Sequence, residues 1–191
     1  MQDKDFKVIF IGDTAVGKTS IIHQIKKQTL DDILPTAPAE IQILNRVVDN
    51  VEVKFQISDT AGQEKYRSIV DNYYRDSDVV VMVYAINNWD SFINIEYWSG
   101  QVTEKLGNSA GVFLVANKID LLDNLSGAEI VSSADGNKKA QDIGAQFFEV
   151  SALTNMYIDD LFDSIARFCA NKNPYYVSTK IKNDDNVHNC C

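Results

Sequence analysis

The sequence predicts an α/β fold: a doubly wound, mostly parallel six-stranded sheet with helices on both faces. Two observations point there. Apolar strand-like runs alternate with stretches of helical periodicity along most of the chain, the pattern of repeated strand–helix units. Two of the runs, Val79-Val80-Val81-Met82-Val83-Tyr84 and Val112-Phe113-Leu114-Val115-Ala116, are almost wholly apolar, as parallel strands covered on both faces are. Ligands of such sheets bind outside the carboxyl ends of the strands.

Each element has its own signal. Phe6 to Ile11 is a short apolar strand that stops at Gly12. Ser20 to Lys27 reads as a helix, with Ile21, Ile22 and Ile25 on one face. Ile41 to Val48 and Val51 to Ser58 alternate in part and flank Asp49-Asn50, a dipeptide suited to a two-residue hairpin turn. Phe147 to Val150 is a last short strand. Helices are expected near 91–106, 133–143 and 157–170. Ser132, three residues before Asp135, starts the second of these. The third carries Ile158, Leu161, Phe162, Ile165 and Cys169 as an apolar stripe. From about Asn171 the chain turns polar, which reads as a flexible tail over 171–191 after a domain over 1–170.

The charge and cysteine content exclude several classes. With 191 residues and 45% hydrophobic content there is enough for one well-buried core. The net charge of −9 argues against nucleic-acid binding and against adhesion to anionic lipid by charge alone. No signal peptide is expected from the first residues, and the run from Val79 to Ile86 is too short to span a bilayer. Three cysteines, two of them Cys190 and Cys191, make no disulfide framework, and His23 and His188 have no metal-ligand spacing. A reduced, cytosolic domain is expected.

Three segments carry chemistry, each directly after a strand. Gly12-Asp13-Thr14-Ala15-Val16-Gly17-Lys18-Thr19, with Ser20 following, fits the phosphate-loop pattern. Its glycines let backbone N–H groups close around phosphates at a helix N-terminus. Lys18 would neutralise the β- and γ-phosphates, and the Thr19 hydroxyl would ligate Mg²⁺. Asp59-Thr60-Ala61-Gly62-Gln63 follows about forty residues later. There Asp59 would hold Mg²⁺ through water, Gly62 would offer its N–H to a γ-phosphate, and Gln63 would orient attacking water. In Asn117-Lys118-Ile119-Asp120 the carboxylate of Asp120 matches the N1–H and amino donors of guanine, which adenine lacks. Asn117 would bind N7 and tether neighbouring loops, and the stem of Lys118 would lie over the ring. Ser151-Ala152-Leu153 ends the last strand, where the Ala152 N–H would meet guanine O6.

Taken in this order, the four segments resemble the Ras superfamily over about residues 5–170. Lys65-Tyr66-Arg67-Ser68-Ile69, Tyr73-Tyr74-Arg75, Val83-Tyr84-Ala85-Ile86 and the terminal Cys190-Cys191 are similar to Rab patterns. The resemblance implies the small-GTPase G domain, GTP or GDP with Mg²⁺, and slow hydrolysis in a switch of membrane trafficking. It implies that Thr36 caps Mg²⁺ and the γ-phosphate, that the two switches span roughly 29–41 and 60–75, and that Gln63, Lys18 and Thr36 serve hydrolysis. It implies prenylation of Cys190 and Cys191, and residence in the cytosol and on the cytoplasmic face of an intracellular or plasma membrane. The partners implied are a guanine nucleotide exchange factor, a GTPase-activating protein, Rab-type effectors, and escort or dissociation-inhibitor proteins.

The departures from the Rab pattern concern partners more than nucleotide. Pro38 stands for a glycine, Ile41 for phenylalanine, Ser58 for tryptophan, Leu153 for lysine and Leu30 for an aromatic. At the three positions where Rabs form an exposed aromatic effector patch, Ile41, Ser58 and Tyr73, only Tyr73 keeps the aromatic and Ser58 is expected to leave a small polar hollow. An alternative reading is a nucleotide-stabilised interaction protein that scarcely cycles. Cys169 and Trp98 are expected to be core, His23 a solvated surface residue, and Lys180 with Lys182 no polybasic patch.

Overall fold

A computed structural model describes residues 5–28, 41–59, 74–122 and 130–172. Strands β1 (Phe6–Ile11), β2 (Ile41–Val48), β3 (Val51–Asp59), β4 (Val79–Ala85), β5 (Gly111–Asn117) and β6 (Gln146–Val150) form one sheet in the order β2-β3-β1-β4-β5-β6. Only the β2–β3 pairing is antiparallel; β1 pairs in parallel with β3 and β4, and β4–β5 and β5–β6 are parallel. The helices are α1 (Lys18–Gln28), α2 (Trp89–Ile93), α3 (Ile95–Leu106), α4 (Ser133–Asp142) and α5 (Ile158–Lys172), with a short 3₁₀ turn at Ile119–Leu121. The expected α/β class and six-stranded sheet are borne out.

The continuous apolar runs are divided between two cores because alternate side chains of a strand point to opposite faces. Val8 and Phe10 of β1 with Val81 and Val83 of β4 face α1 and α5. Ile9, Ile11, Val80 and Met82 face the other way, toward α2, α3 and α4. The apolar stripe of α5 is fully buried, Cys169 included, as expected. At roughly 2 kcal/mol per fully buried large aliphatic side chain, these two layers supply most of the gross stabilisation.

The local signals act as their chemistry requires. Asp49 and Asn50 both take positive φ, 50° and 63°, so β2 and β3 close through a tight left-handed turn. The Ser132 hydroxyl accepts from the Asp135 N–H at 3.2 Å and starts α4. The helix expected near 91–106 begins earlier, at Trp89, because the Asn88 side chain caps the Ser91 N–H. Across the far end of the sheet, Arg46 ties β2 to α5 through Asp163 at 2.6 Å and Asp159 at 2.8 Å. Burial opposes that charge, but the two carboxylates outweigh it and hold the guanidinium pKa above its ordinary value.

Ser58 is 3% exposed, although Ile41, its direct cross-strand partner, is 58% exposed. Ser58 lies between Ile41 on β2 and Ile9 on β1, so a short side chain there sits below its neighbours. Tyr74 is buried in the second core. Leu30, Pro38, Tyr73 and both expected switches, apart from the residues at their edges, lie outside the described residues.

Candidate nucleotide site

The phosphate loop leaves β1 and enters α1, and its two glycines are sterically required. Gly12 has φ of 136°, and an added Cβ would stand 2.1 Å from the Val83 carbonyl oxygen. Gly17 has φ of 100°, and its Cβ would meet Asn117 Nδ2 at 2.2 Å. Only bare backbone fits at both points. Ala15 also takes a left-handed φ, 63°, a conformation costing an alanine about 1 kcal/mol or more.

Within the loop, Lys18 is 4% exposed, and its ammonium donates to the carbonyls of Gly12 and Asp13, both at 2.7 Å. Val16 is buried while Thr14 and Ala15 are exposed. The Asp13 carboxylate turns away toward α3. It accepts from the Trp98 indole N–H at 2.9 Å and from Asn94 Nδ2 at 2.7 Å.

The base-side segments come from the ends of β5 and β6 and lock onto this loop. Asn117, 1% exposed, donates through Nδ2 to the Val16 carbonyl at 2.8 Å. Its Oδ1 accepts from the Ala152 N–H at 3.1 Å. Lys118 sits at φ of 71° and reaches the Ala15 carbonyl at 2.8 Å. Ser151, fully buried, donates its hydroxyl to Asp120 Oδ1 at 2.5 Å, which leaves the carboxylate's second oxygen for another donor. One cleft of about 580 Å³ is lined by Gly17, Thr19, Ser20, Asn117, Lys118, Asp120, Ala152 and Leu153.

Gln24, His23 and Leu121 line the same cleft and were not singled out for it in the sequence. Gln24 and His23 lie four and three residues beyond Ser20, on the same face of α1, which is the signal that would have found them. Gln24 Nε2 donates to the Ala152 carbonyl at 2.6 Å. His23 is exposed, as expected, but along the cleft wall. Leu153 is 78% exposed at its rim. Asp59 closes β3, its side chain outside the described residues, as are Thr36, Gly62, Gln63, Cys190 and Cys191. The donor set fits a nucleotide with Mg²⁺: bare backbone at a helix start, a buried ammonium, a positioned carboxylate and the hard oxygen of Thr19.

A doubly wound sheet with this loop at its switch point is a phosphate-loop nucleotide-binding domain. Comparison with known proteins narrows the class. The model of the Ras family matches residues 7–171, and the chain belongs to that family. It is 36% identical over 167 residues to Ras-related protein Rab-26 of Mus musculus, covering 86% of this chain and 63% of that relative. It is 38% identical over 163 residues to Ras-related protein Rab-37 of Homo sapiens, covering 84% of this chain and 71% of the relative. The Rab resemblance read from the motifs is borne out by these relatives. The chain spans less than two thirds of the length of the Rab-26 proteins.

Proposed function

We propose that this chain is a Rab-type molecular switch that binds GTP or GDP with Mg²⁺, hydrolyses GTP slowly and acts in membrane trafficking. The observation that carries the reading is the meeting of the phosphate loop with Asn117, Asp120 and Ala152 around one cleft. Asp120, oriented by Ser151, accepts from the two guanine donors. The Ala152 N–H, expected to meet guanine O6, is instead held by Asn117 Oδ1, and through it Asn117 holds the loops at their spacing. Lys18 neutralises phosphate charge, and Thr19, Asp59 and Thr36 are the residues that would hold Mg²⁺. The ion, when bound, offsets the charge that develops on the phosphate oxygens. Gln63 orients the attacking water, and a GTPase-activating protein supplies the further charge that fast turnover needs.

Membership of the family supports a guanine nucleotide exchange factor and Rab-type effectors that read the GTP form as partners, and to these we add an escort or dissociation-inhibitor protein as part of the proposal. Membrane attachment comes through prenyl groups on Cys190 and Cys191, at the cytoplasmic face of an intracellular or plasma membrane. Among the described residues no helix is long and apolar enough to cross a membrane.

Competition binding with GTP, ATP and XTP tests the assignment. The parent should prefer GTP over ATP by orders of magnitude. Asp120→Asn should turn the preference to XTP, because an amide donates to the 2-oxo group. Single-turnover hydrolysis by Gln63→Leu, run alongside, should be lost without loss of GTP binding. Equal affinity of the parent for ATP and GTP would sink the reading.

A further inference from the structure

The second residue of the phosphate loop is Asp13, whose carboxylate turns toward α3 and away from the cleft. Asp13 lies between Gly12 and the residues that close on phosphates. Its two oxygens are both taken, and by one helix turn. Asn94 and Trp98 are four residues apart, so their side chains leave the same face of the chain; the Trp98 backbone N–H donates to the Asn94 carbonyl at 3.1 Å. Asn94 Nδ2 donates to Oδ2 and Trp98 Nε1 to Oδ1. These contacts bridge 81 and 85 residues of chain.

Two further facts make this more than a surface contact. Asn94 occupies the N-cap position of α3, where an asparagine side chain usually accepts from the helix. Here it makes no such bond and reaches Asp13 instead. Trp98 is 8% exposed and buttressed edge-on by Tyr97 at 5.2 Å, so the indole N–H is fixed in direction. The residue they hold also matters through its backbone: the Asp13 carbonyl accepts from Lys18 Nζ at 2.7 Å. Residue 13 is thus held at two points, its carboxylate by Asn94 and Trp98 and its carbonyl by the Lys18 ammonium.

We propose that Asn94 and Trp98 are positioning residues for nucleotide binding. Their paired donors hold the Asp13 carboxylate against α3 and so fix the Asp13 carbonyl that aims Lys18. The inference rests on the guanine-nucleotide reading of the cleft. It assigns α3 a part in ligand affinity, although α3 contributes nothing to the cleft wall.

The test is stopped-flow release of fluorescent GDP from the full chain, with and without Mg²⁺. Variants are Asn94→Ala, Trp98→Phe, Asp13→Ala and the two doubles that combine Asp13→Ala with each. A lost hydrogen bond to a charged group at a half-exposed site should speed release about five- to tenfold in either single variant. In the Asp13→Ala background the same substitutions should change nothing further, because the acceptor is gone. A role confined to packing would give the same acceleration in both backgrounds. Asn94 is exposed, so Asn94→Ala keeps the test open if Trp98→Phe folds poorly. Release at the parent rate in both singles, or equal acceleration with and without Asp13, would overturn the proposal. A parent that binds no GDP would instead overturn the nucleotide reading.

Discussion

Asn117→Ala removes one side chain and two hydrogen bonds that join three loops. The amide is 1% exposed, its Nδ2 donates to the Val16 carbonyl at 2.8 Å, and its Oδ1 accepts from the Ala152 N–H at 3.1 Å. Val16 is buried and Ala152 is 7% exposed, so both backbone groups would be left without partners away from solvent. Each such orphan costs about 1–3 kcal/mol. With some relaxation, or one water entering the space, a total of ~3 kcal/mol is the reasonable value. Since 1.4 kcal/mol is tenfold, GDP release should quicken by about 100-fold. The Val16 and Ala152 loops carry the phosphate and base sides of the cleft, so the loss falls on both. Asn117→Asp separates the two bonds. It keeps the acceptor for Ala152 but places an oxygen against the Val16 carbonyl where a donor stood, and should be no better than alanine. Stopped-flow release of a fluorescent GDP analogue, with urea unfolding at saturating GDP, measures both effects. Release within about threefold of the parent and an unchanged urea midpoint in Asn117→Ala would refute the reasoning. Parent-like behaviour of Asn117→Asp would show that the bond to Val16 is dispensable.

Tyr84→Phe should be neutral or stabilising by up to about 1 kcal/mol at neutral pH, because the buried hydroxyl has no hydrogen-bond partner among the described residues. Burial, with Glu149 and Asp135 nearby, pushes the phenol pKa well above its ordinary value. The folded state therefore keeps the phenol neutral while the unfolded chain ionises near pH 10, and stability falls as pH rises past that point. Urea midpoints between pH 8 and 11 should show a shallower alkaline decline in the variant; an unchanged profile would count against it. For the tail, mass spectrometry of protein from its own cell should find prenyl groups on both Cys190 and Cys191, since one lipid chain binds a bilayer only marginally. An unmodified terminus in a membrane fraction would defeat that proposal.

The parts of this molecule legible in the sequence are those whose cause is local. Gly12 and Gly17 are needed by backbone that no Cβ permits. Asp49-Asn50 needs positive φ at two consecutive residues, which asparagine and aspartate tolerate. Val79 to Tyr84 reads as a doubly covered strand because its neighbours on both faces are apolar. What was missed has distant causes. The place of Ser58 beside Ile9, forty-nine positions away, comes from a strand pairing that no local pattern contains. Trp98 was expected as core and is core, but nothing around it announces that its N–H ends on Asp13.

The site itself was legible for a topological reason. Its pieces are spread over more than 130 residues, from Gly17 to Leu153. They meet because β1, β5 and β6 run parallel and each places its segment of the cleft just past its carboxyl end. With β4 between β1 and β5, the phosphate loop and the Asn117 loop stand two strands apart. A short asparagine amide spans the remaining gap to Val16. Every segment after a parallel strand in a doubly wound sheet is delivered to one edge, so a motif's position after such a strand carries spatial information that its sequence number does not. The Asp13 contact lies outside that rule. Its donors come from the middle of a crossover, where α2 passes into α3, and a crossover is constrained only by its packing. Asn94 and Trp98 therefore reach the phosphate loop from outside the set of segments that the strand ends deliver.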